Sequence, residues 1–118
     1  MFNNILLVGL GGGVGSILRY LVQRSLNSTY PWGTLIVNIV GGLLIGLLWG
    51  LFTKHGDEQK RLLLVTGLCG GFTTFSSFTY EGVQMMMEDR WLAFVLYTAG
   101  SVVLGLAATF FGFKMTSA

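Results

Sequence analysis

From Trp32 to Thr53 the chain carries no charged side chain. A run of about 20 apolar residues is the length of a helix that crosses a bilayer. Backbone inside hydrocarbon must also satisfy its own hydrogen bonds, so such a run is expected to be a membrane-spanning helix. Three more stretches share this character. Residues 5–26 are interrupted by Arg19, Gln23 and Arg24 near the far end, residues 62–87 are closed by Glu88, Asp89 and Arg90, and residues 91–113 stay uncharged until Lys114. Together with 32–53 these make four spans and use most of the 118 residues. Roughly 30 remain for loops and ends, too few for a soluble catalytic domain. Only 10% of residues are charged, against about 25% in a soluble domain. The net charge of +2 builds no basic surface for nucleic acid. The expected protein is all-α, a single four-helix transmembrane domain over residues 1–118, multi-pass in the cell membrane (plasma or inner membrane).

The loops follow from the same pattern. Asn27-Ser28-Thr29-Tyr30-Pro31 is a short turn with the only proline, and the polar run Lys54 to Arg61 is an aqueous loop. Met1 to Asn4 carry no basic residue and no A-x-A-like site follows, so the first stretch is expected to stay as a helix. The lone Cys69 forms no internal disulfide and reads as a small buried hydrophobe. With an even number of spans, both ends lie on the side of the 54–61 loop. That side has Lys54, Lys60, Arg61 and Lys114, and the other has Arg24 and Arg90, with Arg19 inside the boundary. So small a bias permits insertion in both orientations. Glycines spaced i, i+4 (Gly9/Gly13, Gly11/Gly15, Gly42/Gly46/Gly50, Gly67/Gly71) offer smooth faces for close helix packing.

The third stretch is anomalous. Gly70-Gly71-Phe72-Thr73-Thr74-Phe75-Ser76-Ser77-Phe78-Thr79-Tyr80-Glu81 places five hydroxyl side chains before Tyr80 at membrane depth, beside two adjacent glycines. Non-helical backbone is tolerated there only where protein buries it or a cavity needs it, and a third helix broken near Gly70 to Thr73 would free carbonyls able to hold a cation. A continuous helix whose hydroxyls bond back to the preceding turn is the alternative. Thr74, Ser77 and Glu81 share a face, with Phe75 and Phe78 on an adjacent one. Neutral hydroxyl donors and electropositive ring edges suit a small anion without trapping it; for the two rings taken alone, core packing is the favoured reading over ion contact. Asn38, Thr34, Tyr97, Thr98 and Ser101 are polar residues within other spans and are expected to face inward, lining a pathway or tying helices together. Arg19 and Glu81 are the ionisable groups nearest the bilayer interior, free to snorkel, to pair, or to join a hydrogen-bond network. No enzymatic constellation is present: His55 sits among loop carboxylates, and Ser76 and Ser77 have only Glu81 as a conceivable base. The chain is expected not to be an enzyme.

Three motifs in order resemble those of the Fluc (CrcB) fluoride channels. They are Gly12-x-x-Gly15-x-x-x-Arg19-Tyr20 with Ser16, Gly33-Thr34-Leu35-Ile36-Val37-Asn38-Ile39-Val40-Gly41, and Gly70-Gly71-Phe72-Thr73-Thr74-Phe75-Ser76-Ser77-Phe78 with Glu81. The resemblance implies a passive fluoride-selective channel that exports fluoride from the cytoplasm and lowers its toxicity. It also implies an antiparallel dual-topology homodimer in the lipid bilayer, with two pores and a structural sodium ion at the dimer centre. Carried onto this chain, it makes Gly70 and Thr73 main-chain sodium ligands and Phe75 and Phe78 pore phenylalanines. Asn38 becomes a pore residue, Ser77, Glu81, Tyr97 and Ser101 a polar track, and Arg19 and Thr34 structural residues. The family often continues that track with a serine one turn after Ser101, where this chain has Gly105. A four-helix proton-coupled exporter of organic cations is similar in size but places its carboxylate in the first helix, which here has no acid. A non-transporting membrane subunit that scaffolds a partner is a third class. Fluoride efflux from liposomes separates the three.

Overall fold

The computed structural model describes residues 1–117, and those residues form helices joined by short turns. Helix α1 (Phe2–Leu26) ends where Asn27 turns extended (φ −72°, ψ 131°), and Pro31 precedes α2 (Trp32–Lys54). The Asn27 side chain caps α2 across this turn, its Oδ1 accepting from the Thr34 amide at 3.1 Å. After the aqueous loop, Asp57 caps α3 (Glu58–Arg61) by accepting from the Lys60 amide. The chain continues through a π-helical stretch (Leu62–Cys69) into α4 (Gly70–Phe72). Thr73 (φ −82°, ψ 157°) and Thr74 (φ −149°, ψ 120°) are extended, and helix resumes as α5 (Phe75–Met87). Asp89 takes a left-handed conformation (φ 57°) that turns the chain into α6 (Trp91–Ser117).

Four helical segments, Phe2–Leu26, Trp32–Lys54, Glu58–Met87 and Trp91–Ser117, are long and apolar enough to cross a membrane. The third starts earlier and the fourth ends later than hydropathy alone suggests, because capped helix continues into the polar flanks. The long axis of 47 Å is comparable to a bilayer with its headgroups, about 40–45 Å. The usual soluble pattern is inverted. Leu35, Val37, Cys69, Met85 and Tyr97 are the buried hydrophobics, while Leu10, Ile17, Leu92, Val103, Leu106 and Phe111 face outward.

Two seams hold the helices. On one, a Cβ at Gly11 or Gly15 would collide with backbone of residues 63–72, and one at Gly71 with Gly12, so α1 packs backbone to backbone on the first half of the third span. On the other, Gly42, Gly46 and Gly50 of α2 meet the Gly105–Ser117 end of α6, with Gly112 of α6 against Leu43. Thr109 Oγ1 donates to the Gly42 carbonyl at 2.9 Å and Thr116 Oγ1 to the Leu47 carbonyl at 2.8 Å, adding polar clamps to this contact. Gly9 and Gly13 share the i, i+4 spacing, yet a Cβ at either would meet nothing within 4 Å. Among the described residues nothing packs against α1 at these two positions.

Candidate functional site

The site is organised around Asn38, in the first third of α2. Its Nδ2 donates to the Thr74 carbonyl at 3.0 Å and its Oδ1 accepts from the Thr74 amide at 2.7 Å, so a side-chain amide pairs with the extended residue as a neighbouring strand would. Thr74 in turn caps α5, its Oγ1 accepting from the Ser77 amide at 3.1 Å and lying 3.3 Å from Ser76 Oγ. These bonds redirect the donors that a continuous helix would have supplied. The Thr74 amide, which a regular helix aims at the Gly70 carbonyl, goes to Asn38, and the Ser77 amide, the helical partner of the Thr73 carbonyl, goes to Thr74 Oγ1. The Gly71 carbonyl accepts from Arg19 Nε at 3.1 Å. Gly70 is itself helical (φ −61°, ψ −38°), and the extended residues are Thr73 and Thr74.

Beside this turn an open groove of about 450 Å³ runs between α2, α5 and α6, with Asn38, Thr73, Phe75, Phe78, Ser101 and Thr109 in its walls. Its lining contains no cationic side chain. The rings of Phe75 and Phe78 lie 5.9 Å apart, and Phe75 is 76% exposed, far more than a core residue. Ser101 Oγ is buried and has no partner among the described residues, and Thr98 Oγ1 is in the same state.

At the far end of the groove Phe78 packs on Tyr97, with centroids 5.3 Å apart. Beyond that contact the polar groups are saturated. Glu81 accepts from Tyr97 Oη at 2.9 Å, Thr34 Oγ1 at 2.9 Å and Asn27 Nδ2 at 3.1 Å. Thr34 Oγ1 also accepts from Gln23 Nε2 at 3.0 Å, and Gln23 Oε1 accepts from Arg19 Nη1 at 3.4 Å. The network thus reaches from the Glu81 carboxylate back to Arg19, and through it to the Gly71 carbonyl. Arg19 and Glu81 do not pair directly: each is held by neutral groups. Past Glu81 a second cavity of about 280 Å³ opens among Asn27, Pro31, Met85, Glu88 and Arg90.

Most of the residues singled out in the sequence fall into these two regions. Asn38, Phe75, Phe78, Ser101 and Thr73 share the groove, and Glu81, Tyr97, Thr34 and Arg19 share the network. Ser77 borders neither cavity, and its amide donates to the Thr74 cap. Gln23 and Asn27, which looked like a helix-end polar residue and a turn residue, are structural joints of the network. Proximity of Asn27 to the Gly33-Thr34 pair across a short turn was the only sequence signal for the second of them.

Four apolar spans, three of which wall a groove that mixes rings, an amide and hydroxyls with the aliphatic side chains of Ile45, Val102 and Leu106, define a small multi-span membrane protein. Residues 6–113 match the family model described as CrcB-like protein, Camphor Resistance (CrcB), and the chain belongs to that family. It is similar to a protein of Phocaeicola vulgatus named fluoride-specific ion channel FluC, with 44% identity covering 96% of this chain and 98% of that one. A FluC protein of Nitratidesulfovibrio vulgaris (strain Miyazaki F) is 45% identical over 92% of both chains. The fluoride-specific ion channel FluC 1 of Yersinia pseudotuberculosis is 46% identical, covering 92% of this chain and 87% of its own length.

Proposed function

We propose that this chain is a fluoride-selective channel of the cell membrane, not an enzyme, that lets fluoride leave the cytoplasm passively. The observation that carries the reading is the groove, walled by two phenylalanine rings, an amide and a buried hydroxyl without a partner among the described residues, with no cationic side chain in its lining. Fluoride binds its hydration water tightly and leaves it only for donors of comparable strength. Hydroxyl protons and ring edges supply such donors without the deep well that a lysine or arginine would make. Hydrogen fluoride enters from acidic surroundings as a neutral molecule and ionises inside, so an open path for the anion needs no energy source. Family membership and the names of the relatives support the same reading, and they do not favour the organic-cation exporter.

Asn38, Phe75, Phe78 and Ser101 are assigned to the pathway, with Glu81 and Tyr97 continuing it towards the second cavity; Ser77, which borders neither cavity, belongs to the same polar track only through the turn of α5 that its amide helps to cap. Arg19 and Thr34 hold the network in place. The Asn38 amide keeps the turn extended and so aims the groove wall, and Tyr97 fixes Phe78 by ring contact. The active unit in this reading is an antiparallel, dual-topology homodimer with a structural sodium ion at its centre. Outward-facing apolar residues and an exposed Gly70 on an otherwise close-packed segment support a second copy. The carbonyls of Gly70 and Thr73 suit sodium because their helical donors are diverted, leaving hard oxygen atoms free to ligate. Such an ion would supply a fixed positive charge tying the two copies together.

In liposomes, the purified protein is expected to release fluoride down its gradient and to exclude chloride; equal fluxes of the two defeat the proposal. Single cysteines in the 54–61 loop should be labelled from both sides of sealed membranes if both orientations occur, and from one side if they do not. Gly70→Val tests the assembly. Its Cβ would meet only the Val65 carbonyl, at 3.7 Å, within the chain, so loss of the dimer with retained helix content points to crowding at the two-fold axis, and an intact dimer removes Gly70 from that position.

A further inference from the structure

Among the described residues two buried hydroxyls have no hydrogen-bond partner, Thr98 Oγ1 and Ser101 Oγ, and other hydroxyls of the spans show what they forgo. Thr53, Thr73 and Ser25 donate to the carbonyl four residues back, as helical hydroxyls do when no better acceptor is near. Farther along α6, Thr109 and Thr116 reach across to carbonyls of α2. Thr98 and Ser101, on the same helix, are buried at the hydroxyl and make none of these bonds among the described residues. A buried donor without a partner is unfavourable by about 1–3 kcal/mol, and one helix turn holds two of them. Two unmatched donors on one turn can both point at a single ligand that accepts.

Their positions agree. On a helix Ser101 lies about 40° from Tyr97 on one side and about 60° from Thr98 on the other, so it stands between the Tyr97 hydroxyl and the Thr98 hydroxyl. Ser101 lines the groove, and Tyr97 donates to Glu81 on the way to the second cavity. Thr98 itself lines neither cavity; its buried hydroxyl lies within one helical turn of Ser101, which does line the groove. We infer that Thr98 and Ser101 form a two-hydroxyl binding position for a small, acceptor-only anion, and that Thr98 is a specificity-determining residue of the pathway. The inference rests on the fluoride reading above. A water molecule satisfies these hydroxyls too, because their oxygens accept as well as donate; fluoride takes both protons at once and offers none. A larger halide has a more diffuse charge, gains less from two short O–H donors, and leaves its water less readily at this point.

The test uses the full-length protein in liposomes, with fluoride and chloride efflux measured side by side and size-exclusion elution and thermal stability recorded for each variant. Thr98→Val keeps the shape and removes the donor. It is expected to slow fluoride efflux about tenfold, the loss of a charge-assisted hydrogen bond, and to narrow the ratio of fluoride to chloride flux, with elution like the parent. Thr98→Ser restores the donor and should restore both rate and ratio. A Thr98→Val protein with parental fluoride rate and selectivity overturns the inference. A change in thermal stability or elution with no change in flux does so too, because it assigns the hydroxyl to a structural water or a helix contact. The parent's own fluoride flux decides the channel reading separately: if the parent fails to conduct, that reading falls, and if only Thr98→Val is silent, Thr98 alone is removed from the path.

Discussion

The groove and the Glu81 network adjoin at the ring contact between Phe78 and Tyr97, but they treat hydrogen bonds in opposite ways. In the network each named polar group has a partner: the Glu81 carboxylate accepts three bonds, and Thr34 Oγ1 accepts from Gln23 and Asn27 while donating to Glu81. In and beside the groove, Ser101 and Thr98 have buried hydroxyls with no partner, and Phe75 lies open. A saturated cluster in a low-dielectric site is rigid, because every rotation leaves something unpaired. An unsaturated one is shaped for something that arrives. The polar residues of one small membrane protein are thereby sorted into a saturated part and an open part by their bonding and not by residue type, since threonine occurs in both, as Thr34 in the network and as Thr73 and Thr109 in the groove.

The largest effect is expected where the two regions hang from a common support. Asn38→Leu removes the donor and the acceptor that hold Thr74, which is only 9% exposed, and leaves a backbone amide and carbonyl unpaired. Each such group is unfavourable by about 1–3 kcal/mol. Fluoride efflux should vanish and the thermal midpoint in detergent should fall sharply. A variant that stays stable and conducts would show that the turn is held by something other than Asn38.

Next comes the saturated side. Glu81→Ala strips the acceptor from Tyr97, Thr34 and Asn27 together, and is expected to destabilise the fold by about 2–4 kcal/mol. Glu81→Gln keeps one acceptor oxygen and should recover about half of that loss. Thermal melts of the two variants beside the parent check the order; equal midpoints for Glu81→Ala and the parent would mean that the network is not a scaffold.

On the open side the pattern should reverse, with function lost and stability kept. Phe75→Ile touches a ring that is 76% exposed, so its melting should match the parent, while removal of the electropositive edge slows fluoride efflux by up to about tenfold. Phe78→Ile adds a packing loss of about 1 kcal/mol because that ring also supports Tyr97. If both variants conduct like the parent, the rings are packing residues, and the path runs along the hydroxyls alone.

How much of this was legible in the sequence depended on how far away the partner lay. The absence of charge between Trp32 and Thr53 marked a span without further information, because the bilayer is a uniform partner. Phe75, Phe78, Asn38 and Ser101 were visible as polar or aromatic residues with no reason to face lipid. Asn27 was not, since its acceptor Glu81 lies 54 residues away and an asparagine in a turn is already explained. Gln23 was hidden likewise, as a helix-end residue whose partner belongs to another helix. The glycines misled in a different manner. Gly71 suggested a relaxed backbone but is helical, and its missing side chain serves the approach of Gly12. Gly9 and Gly13 repeat a packing spacing at positions where the described residues offer no neighbour, because spacing specifies a smooth face and not what lies against it.

The smallest expected effect lies at Gly105, which lines the groove one turn beyond Ser101. A Cβ there would meet nothing within 4 Å, so Gly105→Ser is sterically free, and a helical position gains a few tenths of a kcal/mol when glycine is replaced. The added hydroxyl has two choices. It can bond back to the Ser101 carbonyl, as Thr53 does to Trp49, or turn its proton into the groove. Back-bonding leaves conduction unchanged, whereas a proton presented to the groove lengthens the run of donors and should raise fluoride efflux about twofold. Because Ser101 itself forgoes the back-bond in this stretch of α6, the groove-facing state is the expected one, and a fluoride rate equal to the parent's in a normally folded Gly105→Ser protein would show that the unsaturated surface ends at Ser101.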